Sequence, residues 1–225
     1  MRTIFVTSSG TEIGKTFVAT LLIRQARARG ARVAALKPVI SDYGPETAAE
    51  SDTALMLAAL GEPVDAAGIE RISPWRFAAP LSPDMAARRE GRAIDFDALV
   101  DFCRRARDAD GDYLIIEGVG GAMVPLTGDK TVLDWIAALD APAIVVVGSY
   151  LGTISHTLTT VAAMRAREVP IRAVVVCESM TSPVPLDETC ATLGRFIAGA
   201  PVVALPRLED SADAPDLFRL LEPEP

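Results

Sequence analysis

Histidine is almost missing from this 225-residue chain, with His156 the only one. Cysteine is scarce too: Cys103, Cys177 and Cys190 stand far apart, and no Cys-x-x-Cys pair exists. A zinc site would have to be assembled almost wholly from carboxylates, which structural and catalytic zinc rarely accept, and three scattered cysteines do not read as a disulfide framework. Long apolar runs are absent. The N-terminal run Ile4-Phe5-Val6 is too short for the core of a signal peptide, and nothing reaches the roughly 18 apolar residues of a membrane span. Positive charge is in deficit, with 22 Lys plus Arg against 30 Asp plus Glu and a net charge of −8. Duplex nucleic-acid binders need a basic face, so nucleic acid is not the expected partner, although a local basic pocket for phosphates remains compatible. Ordinary glycine and proline levels exclude collagen and argue against wholesale disorder. What is present is apolar residues, 50% of the chain. They suffice for a sizeable core in one domain, in a reducing, cytoplasmic setting.

Short apolar runs alternate with helix-like windows. Strands are expected at Ile4 to Thr7, Arg32 to Leu36, Tyr113 to Glu117, Ala143 to Val147, Ile171 to Val176 and Pro201 to Leu205. Helical windows fall at Lys15 to Arg29, Ser51 to about Leu60, Asp95 to Ala109, Val132 to Leu139, Ser155 to Arg167 and Pro185 to Ile197. The first ends at Gly30, a helix stop. Ser41 to Glu50 reads as a loop, Gly61 to Gly91 as irregular, and the stretch from Glu209 on as an acidic, weakly patterned tail. Continuously apolar strands separated by helices predict an α/β fold with a mostly parallel central sheet covered by helices on both faces. Ligands of such sheets bind beyond the carboxyl ends of the strands.

After the first strand comes Thr7-Ser8-Ser9-Gly10-Thr11-Glu12-Ile13-Gly14-Lys15-Thr16. Strand, glycine-containing loop, Gly-Lys-Thr and helix form the context of a P-loop, whose backbone N–H groups cradle phosphate oxygens. Lys15 would contact the β/γ-phosphates and the Thr16 hydroxyl would join a Mg²⁺ shell. The strict pattern fails by one residue, because Ser9 stands where glycine is expected. Tyr113 to Glu117 is an apolar strand that ends in a carboxylate and is followed by Gly118-Val119-Gly120-Gly121. Glu117 is the candidate second acid on the magnesium side, the alternative being a strand cap and turn. Lys37 precedes Pro38, which biases it to extended geometry and aims it outward from the sheet edge. It would either neutralise developing phosphoryl or carboxylate charge or be a solvated surface lysine. Ser51-Asp52 would serve a site or simply cap a helix. Arg24, Arg27, Arg29 and Arg32 cluster at the far end of the first helix and read as a solvated face.

Together these pieces resemble the dethiobiotin synthetase family. The matching stretches are Gly10-Thr-Glu-Ile-Gly-Lys-Thr16, Leu36-Lys-Pro-Val-Ile-Ser41, Ser51-Asp52-Thr-Ala-Leu, Phe77-Ala-Ala-Pro-Leu-Ser-Pro83, Glu117-Gly-Val-Gly-Gly121 and Leu151-Gly-Thr-Ile-Ser-His156. They follow the family's order up to about Leu208. The resemblance implies a single P-loop domain over residues 1–225, usually in a homodimer. It implies ATP, CO₂ (or bicarbonate) and 7,8-diaminopelargonic acid as substrates, and Mg²⁺ as the metal. The diamine is carbamylated, the carbamate oxygen attacks the γ-phosphorus, and the second amine displaces phosphate from the mixed anhydride to close the ureido ring.

By the same resemblance Lys15 and Lys37 are the cationic pair, with Thr11 beside them as catalytic. Thr16, Asp52 and Glu117 are the magnesium-side groups. Thr11, Ser41 and Gly118 lie near the carbamate and diamine. Glu12, Ile13, Gly14, Phe17, Val119 and Gly120 join the nucleotide site. Cys177 and Glu178, with Pro206, Arg207 and Leu208, occupy the base side. Relatives often carry Asn-Asp at Cys177-Glu178, and a thiol cannot donate and accept as an amide does, which opens the base preference. The family commonly has glycine at Ser8. Leu151, Gly152, Thr153 and Ser155 would come from the partner subunit and hold the diamine's carboxylate, with Thr153 and Ser155 offering hydroxyls. His156, with no carboxylate nearby in sequence, reads as structural.

Two alternatives stand. Another P-loop synthetase would lack the pairing of Lys37 with Ser41. A partition-type switch ATPase carries a lysine early in its P-loop, where this chain has Ser9 and Gly10, and often ends in a basic helix.

Overall fold

The computed structural model describes residues 1–208 and 213–222. The apolar runs form strands and the windows between them form helices. In chain order these are β1 (Arg2–Ser8), α1 (Lys15–Ala28), β2 (Val33–Leu36), β3 (Val39–Ile40), α2 (Asp52–Leu60), α3 (Ala66–Ile72), β4 (Trp75–Arg76), α4 (Pro83–Arg89), α5 (Phe96–Asp108), β5 (Tyr113–Glu117), α6 (Val132–Leu139), β6 (Ala143–Gly148), α7 (Thr153–Ala166), β7 (Ile171–Cys177), α8 (Leu186–Phe196) and β8 (Val202–Leu205).

Six strands make one sheet in the order β2-β5-β1-β6-β7-β8, and its pairings are parallel. Every residue of β5 and β6 is buried, as strands covered on both faces must be. Crossovers lead from β1 to β2 and back to β5 on one side, then to β6 and outward on the other. The carboxyl end of β1 therefore lies at the topological switch point, where such sheets open a ligand crevice. In the core, Phe5 meets Trp135 edge to face at 4.8 Å and 89°, both rings fully buried. Such a pair adds about 0.5–1.5 kcal/mol to the burial of its area.

Register alone sets much of the site. Val6 pairs with Glu117, and Leu36 pairs with Ile116. Glu117 is thus fixed beside the start of the phosphate loop, and Lys37, one step past Leu36, emerges beside Glu117.

The span 61–91, expected to be irregular, holds two short helices and the strand β4. Its prolines mark element boundaries: Pro83 opens α4 at N1, where its missing N–H is harmless, and Asp65 caps α3 by accepting from Gly68 N at 2.8 Å. β4 pairs with β3 in a separate two-stranded ribbon. The tail differs as well. Residues 209–212 and 223–225, which include the start of the expected acidic stretch, lie outside the described residues. Within 213–222, Leu217, Leu220 and Leu221 are buried. Gln25 Oε1 accepts from Leu217 N and Phe218 N at 2.8 and 3.0 Å, and its Nε2 donates to Pro215 O at 2.9 Å. Two of the four clustered arginines meet acids: Arg29 pairs with Asp216, and Arg32 with Asp110 and Asp112, while Arg27 donates to Ala59 O at 2.9 Å. All four are exposed, in keeping with the solvated-face reading.

Candidate active site

The loop between β1 and α1 ends at Gly14, the N-cap of α1, at φ 96°. That left-handed conformation favours glycine. A second reason for glycine is space, since a Cβ there would lie 2.9 Å from the Cys177 sulfur. No side chain caps this helix. Its first amides, free of intrahelical partners, and the positive end of its dipole face the loop, which is an anion cradle.

Ser8 is fully buried and takes up the role of a tie. Its hydroxyl lies 2.6 Å from Gly10 O and 2.9 Å from Gly120 O, and its one proton is shared between these two acceptors. The phosphate loop is thereby linked to the glycine turn after β5. That turn packs closely, because a Cβ on Gly121 would lie 3.1 Å from Gly10 N.

Charged groups converge beneath this cradle. Lys37 Nζ lies 2.6 Å from Glu117 Oε1, 2.9 Å from Asp52 Oδ2 and 2.8 Å from Gly118 O. Its side chain is only 2% exposed, so it points inward and is no solvated surface lysine. Thr16 Oγ1 reaches Asp52 Oδ1 at 2.7 Å and Glu117 Oε1 at 2.9 Å. Lys15, also buried, donates to Gly10 O at 3.3 Å. Asp52 opens α2 while Ser51 caps it, the Ser51 Oγ accepting from Ala54 N. Cap and carboxylate are separate residues, so Asp52 is free to face the site.

The ionisations follow from burial and neighbours. Burial pushes the Lys15 ammonium down to about 8, aided by the Lys37 charge. Burial also works against the Lys37 ammonium, but Glu117 and Asp52 outweigh it and hold its pKa above the usual value. Burial pushes the Glu117 carboxyl up, Lys37 notwithstanding, with Asp52 adding repulsion. Burial opposes the Asp52 anion too, yet Lys37 and the Thr16 hydroxyl hold its pKa low.

A cavity of about 220 Å³ opens onto these groups. Thr11, Lys15, Thr16, Lys37, Ser41 and Asp52 line it, with Glu12, Ile13, Gly14, Phe17, Val119 and Gly120 around them. Ser41 Oγ, Ser9 Oγ, Thr7 Oγ1 and Glu117 Oε2 are buried without a hydrogen-bond partner. Buried polar atoms are normally satisfied, so the orphaned Ser41 hydroxyl, which lines this cavity, marks a place for a polar ligand. A neighbouring cleft of about 480 Å³ shares Glu12, Ile13, Gly14 and Phe17 and runs to Cys177, Glu178, Pro206, Arg207 and Leu208. There Glu178 Oε2 accepts from Arg207 N at 2.9 Å. Burial pushes the Cys177 thiol up to about 12, so it is an inert, apolar wall. Two adjoining cavities at a helix N-terminus suit a polyphosphate in one and a flat ring in the other.

The stretch Leu151, Gly152, Thr153 and Ser155 does not line either cavity of its own chain. Thr153, expected to offer its hydroxyl to a carboxylate, is buried and donates to Gly148 O at 2.6 Å. Ser155 is exposed. His156 Nδ1 lies 2.9 Å from Tyr150 Oη. Residues that sequence reasoning did not single out are Ile40 in the smaller cavity and Gly148, Ser179 and Met180 in the larger. The last three follow strand ends, where the switch-point rule already directs attention.

No described helix is long and apolar enough to cross a membrane. The AAA domain family matches residues 2–214. Among solved structures, the MinC:MinD cell division protein complex of Aquifex aeolicus superposes with a TM-score of 0.56 at 14% identity, over 98% of this chain and 85% of that one. The ParA family ATPase of Chlorobium tepidum TLS gives 0.55 at 16%, over 93% and 86%. At such identities these likenesses speak for the fold alone. Curated relatives say more. The ATP-dependent dethiobiotin synthetase of Caulobacter sp. (strain K31) is 48% identical over 93% of this chain and 90% of its own length. Its namesake in Acidiphilium cryptum is 50% identical over 88% and 89%. Agreement at that level, sustained through nearly the full length of both partners, goes beyond a shared fold, and this chain belongs to the family of ATP-dependent dethiobiotin synthetases.

Proposed function

We propose that the chain, acting as one P-loop domain, joins CO₂ to 7,8-diaminopelargonic acid at the expense of ATP and closes the ring of dethiobiotin. The observation that carries this reading is the placement of Lys37, a buried ammonium held between Asp52 and Glu117 at the floor of the phosphate cavity. One amine of the substrate attacks CO₂ and loses a proton, forming a carbamate. The carbamate oxygen then attacks the γ-phosphorus, and ADP leaves. The second amine attacks the carbamoyl carbon, phosphate departs, and the ureido ring is closed.

Two anions must meet in line in the second step. Lys15 and Lys37 offset their repulsion, and the open amides of α1 hold the phosphates. Thr11, Ser41 and the backbone of Gly118 orient the carbamate and diamine. The residues fit a magnesium ion: Thr16, Asp52 and Glu117 are hard oxygen donors, and Glu117 Oε2 lacks a partner. When bound there, Mg²⁺ supplies charge screening at the β/γ-phosphates. Glu12, Phe17, Val119 and Gly120 flank the nucleotide, and Cys177, Glu178, Pro206, Arg207 and Leu208 face its base. In a homodimer the exposed Leu151, Gly152 and Ser155 would serve the partner's diamine, whereas Thr153 spends its proton on Gly148 O. A cytoplasmic location accords with three free cysteines.

Purified protein given Mg-ATP, bicarbonate and the diamine is expected to yield dethiobiotin, ADP and phosphate in equal amounts, measured by mass spectrometry. ATP hydrolysis that ignores the diamine, with no ureido product, sinks the reading.

Lys15 gives nucleotide binding a pH dependence. Free, its ammonium titrates near 8. Bound phosphates favour the charged form and raise that value, so binding above pH 8 takes up a proton. Affinity for ADP should be about tenfold weaker at pH 9 than at pH 7. Calorimetry in buffers of differing ionisation enthalpy reads the proton directly; no uptake at pH 9 contradicts the assignment.

A further inference from the structure

Lys37 acts at the tip of a long side chain, so its aim depends on its backbone. That backbone leaves β2 and enters Pro38, which has no N–H to anchor it. The segment 72–77 rails it instead. Lys37 N donates to Ile72 O at 3.0 Å, Trp75 N to Pro38 O at 3.0 Å and Phe77 N to Ile40 O at 2.9 Å. The Lys37 carbonyl accepts from a side chain, Ser73 Oγ, at 2.6 Å. Ser73 Oγ is also 2.6 Å from Thr53 Oγ1, and both residues are fully buried. A hydroxyl has one proton, and that of Ser73 goes to the carbonyl. Thr53 must therefore be the donor to Ser73, which gives the chain a single direction, Thr53 to Ser73 to Lys37 O.

Thr53 follows Asp52 on α2. The hydroxyl chain thus ties the main chain beneath Asp52 to the main chain beneath Lys37, while their side-chain tips meet at 2.9 Å. We propose that Ser73 and Thr53 are positioning residues that hold Lys37 in register when its tip leaves the carboxylates for the reacting anions. The inference rests on the reading of Lys37 as the cation of the phosphoryl step. During that step the tip contacts change and cannot do the aligning, whereas the buried hydroxyls line neither cavity, bond each other and the Lys37 carbonyl, and stay in place. A tilt of about 10° at the Lys37 Cα moves the ammonium about 1 Å, and misplacements of that size cost up to about 10²-fold in rate.

The test is a set of kinetic cycles with dethiobiotin as the readout. Ser73→Ala should lower kcat about tenfold and leave the KM for ATP within about twofold. In a Lys37→Gln background, with residual turnover followed by labelled bicarbonate, the same change should alter the rate less than about twofold, because nothing is left to aim. Thr53→Val, which keeps the volume, should cost about threefold, and Thr53→Ser should restore the rate. If Ser73→Ala does not fold, the Thr53 pair decides. Equal losses with and without Lys37 would mean general loosening and would overturn the proposal, as would an unaltered Ser73→Ala enzyme or a Thr53→Ser enzyme as slow as Thr53→Val. A Lys37→Gln enzyme of full activity would remove the reading of Lys37 and this inference with it. A slow Lys37→Gln enzyme beside an unaffected Ser73→Ala enzyme removes the inference alone.

Discussion

Lys37→Gln is expected to cut turnover about 10²–10³-fold while the protein remains folded and still binds ATP. The ammonium lies at the cavity floor, 2.6 Å from Glu117 and 2.9 Å from Asp52. An amide offers N–H donors but no charge, so repulsion between carbamate and γ-phosphate goes unscreened at that point. Binding survives because Lys15 and the open amides of α1 are untouched. The fold survives because Glu117, whose carboxyl burial already pushes up, can take a proton once its cation is gone. Stopped and steady-state product assays, with circular dichroism as a control on folding, check both halves. A full-speed Lys37→Gln enzyme would exclude Lys37 from the chemistry.

Glu117→Gln is expected to lower the unfolding midpoint by about 4–12 °C, which corresponds to about 2–3 kcal/mol for a chain of this size. Glu117 is fully buried and gives Lys37 its shortest ionic contact. The isosteric amide keeps the volume and an acceptor but leaves a buried ammonium facing Asp52 alone. The double variant Lys37→Gln/Glu117→Gln removes both charges together and should regain most of the loss, giving a coupling of about 2 kcal/mol. Calorimetric melts of the four proteins test this. Additive losses would show that the pair is not coupled.

Much of this site was legible from the residues. Gly-Lys-Thr after a β-branched run and before a helical window has few structural meanings, and the helix does begin at Lys15. Glu117 was legible as a candidate because a carboxylate closes an apolar strand and glycines follow it, and the structure buries all five positions of that strand. Lys37 was not. Seen locally, a lysine before proline is aimed outward, and its burial depends on Asp52 and Glu117, which lie 15 and 80 positions away. The short elements of residues 61–91 escaped notice because four prolines mask a helical period in windows of seven residues. The tail was read by its charge, whereas Leu217, Leu220 and Leu221 find their burial against the core. Thr153 was read as a ligand hydroxyl, yet the nearest acceptor in space is the Gly148 carbonyl.

The sequence by itself determined the parallel α/β architecture, the phosphate loop and the acid at the end of β5, because each rests on a local pattern: apolar periodicity, glycine spacing and a helix start. Only the tertiary structure decided which charges meet. Parallel register set Val6 beside Glu117 and Leu36 beside Ile116, and so brought a lysine, two carboxylates and a threonine hydroxyl from four separate elements within hydrogen-bond reach. Electrostatic interaction falls off over a few ångströms in space and takes no account of distance along the chain, so that assembly could be seen only once the chain had folded.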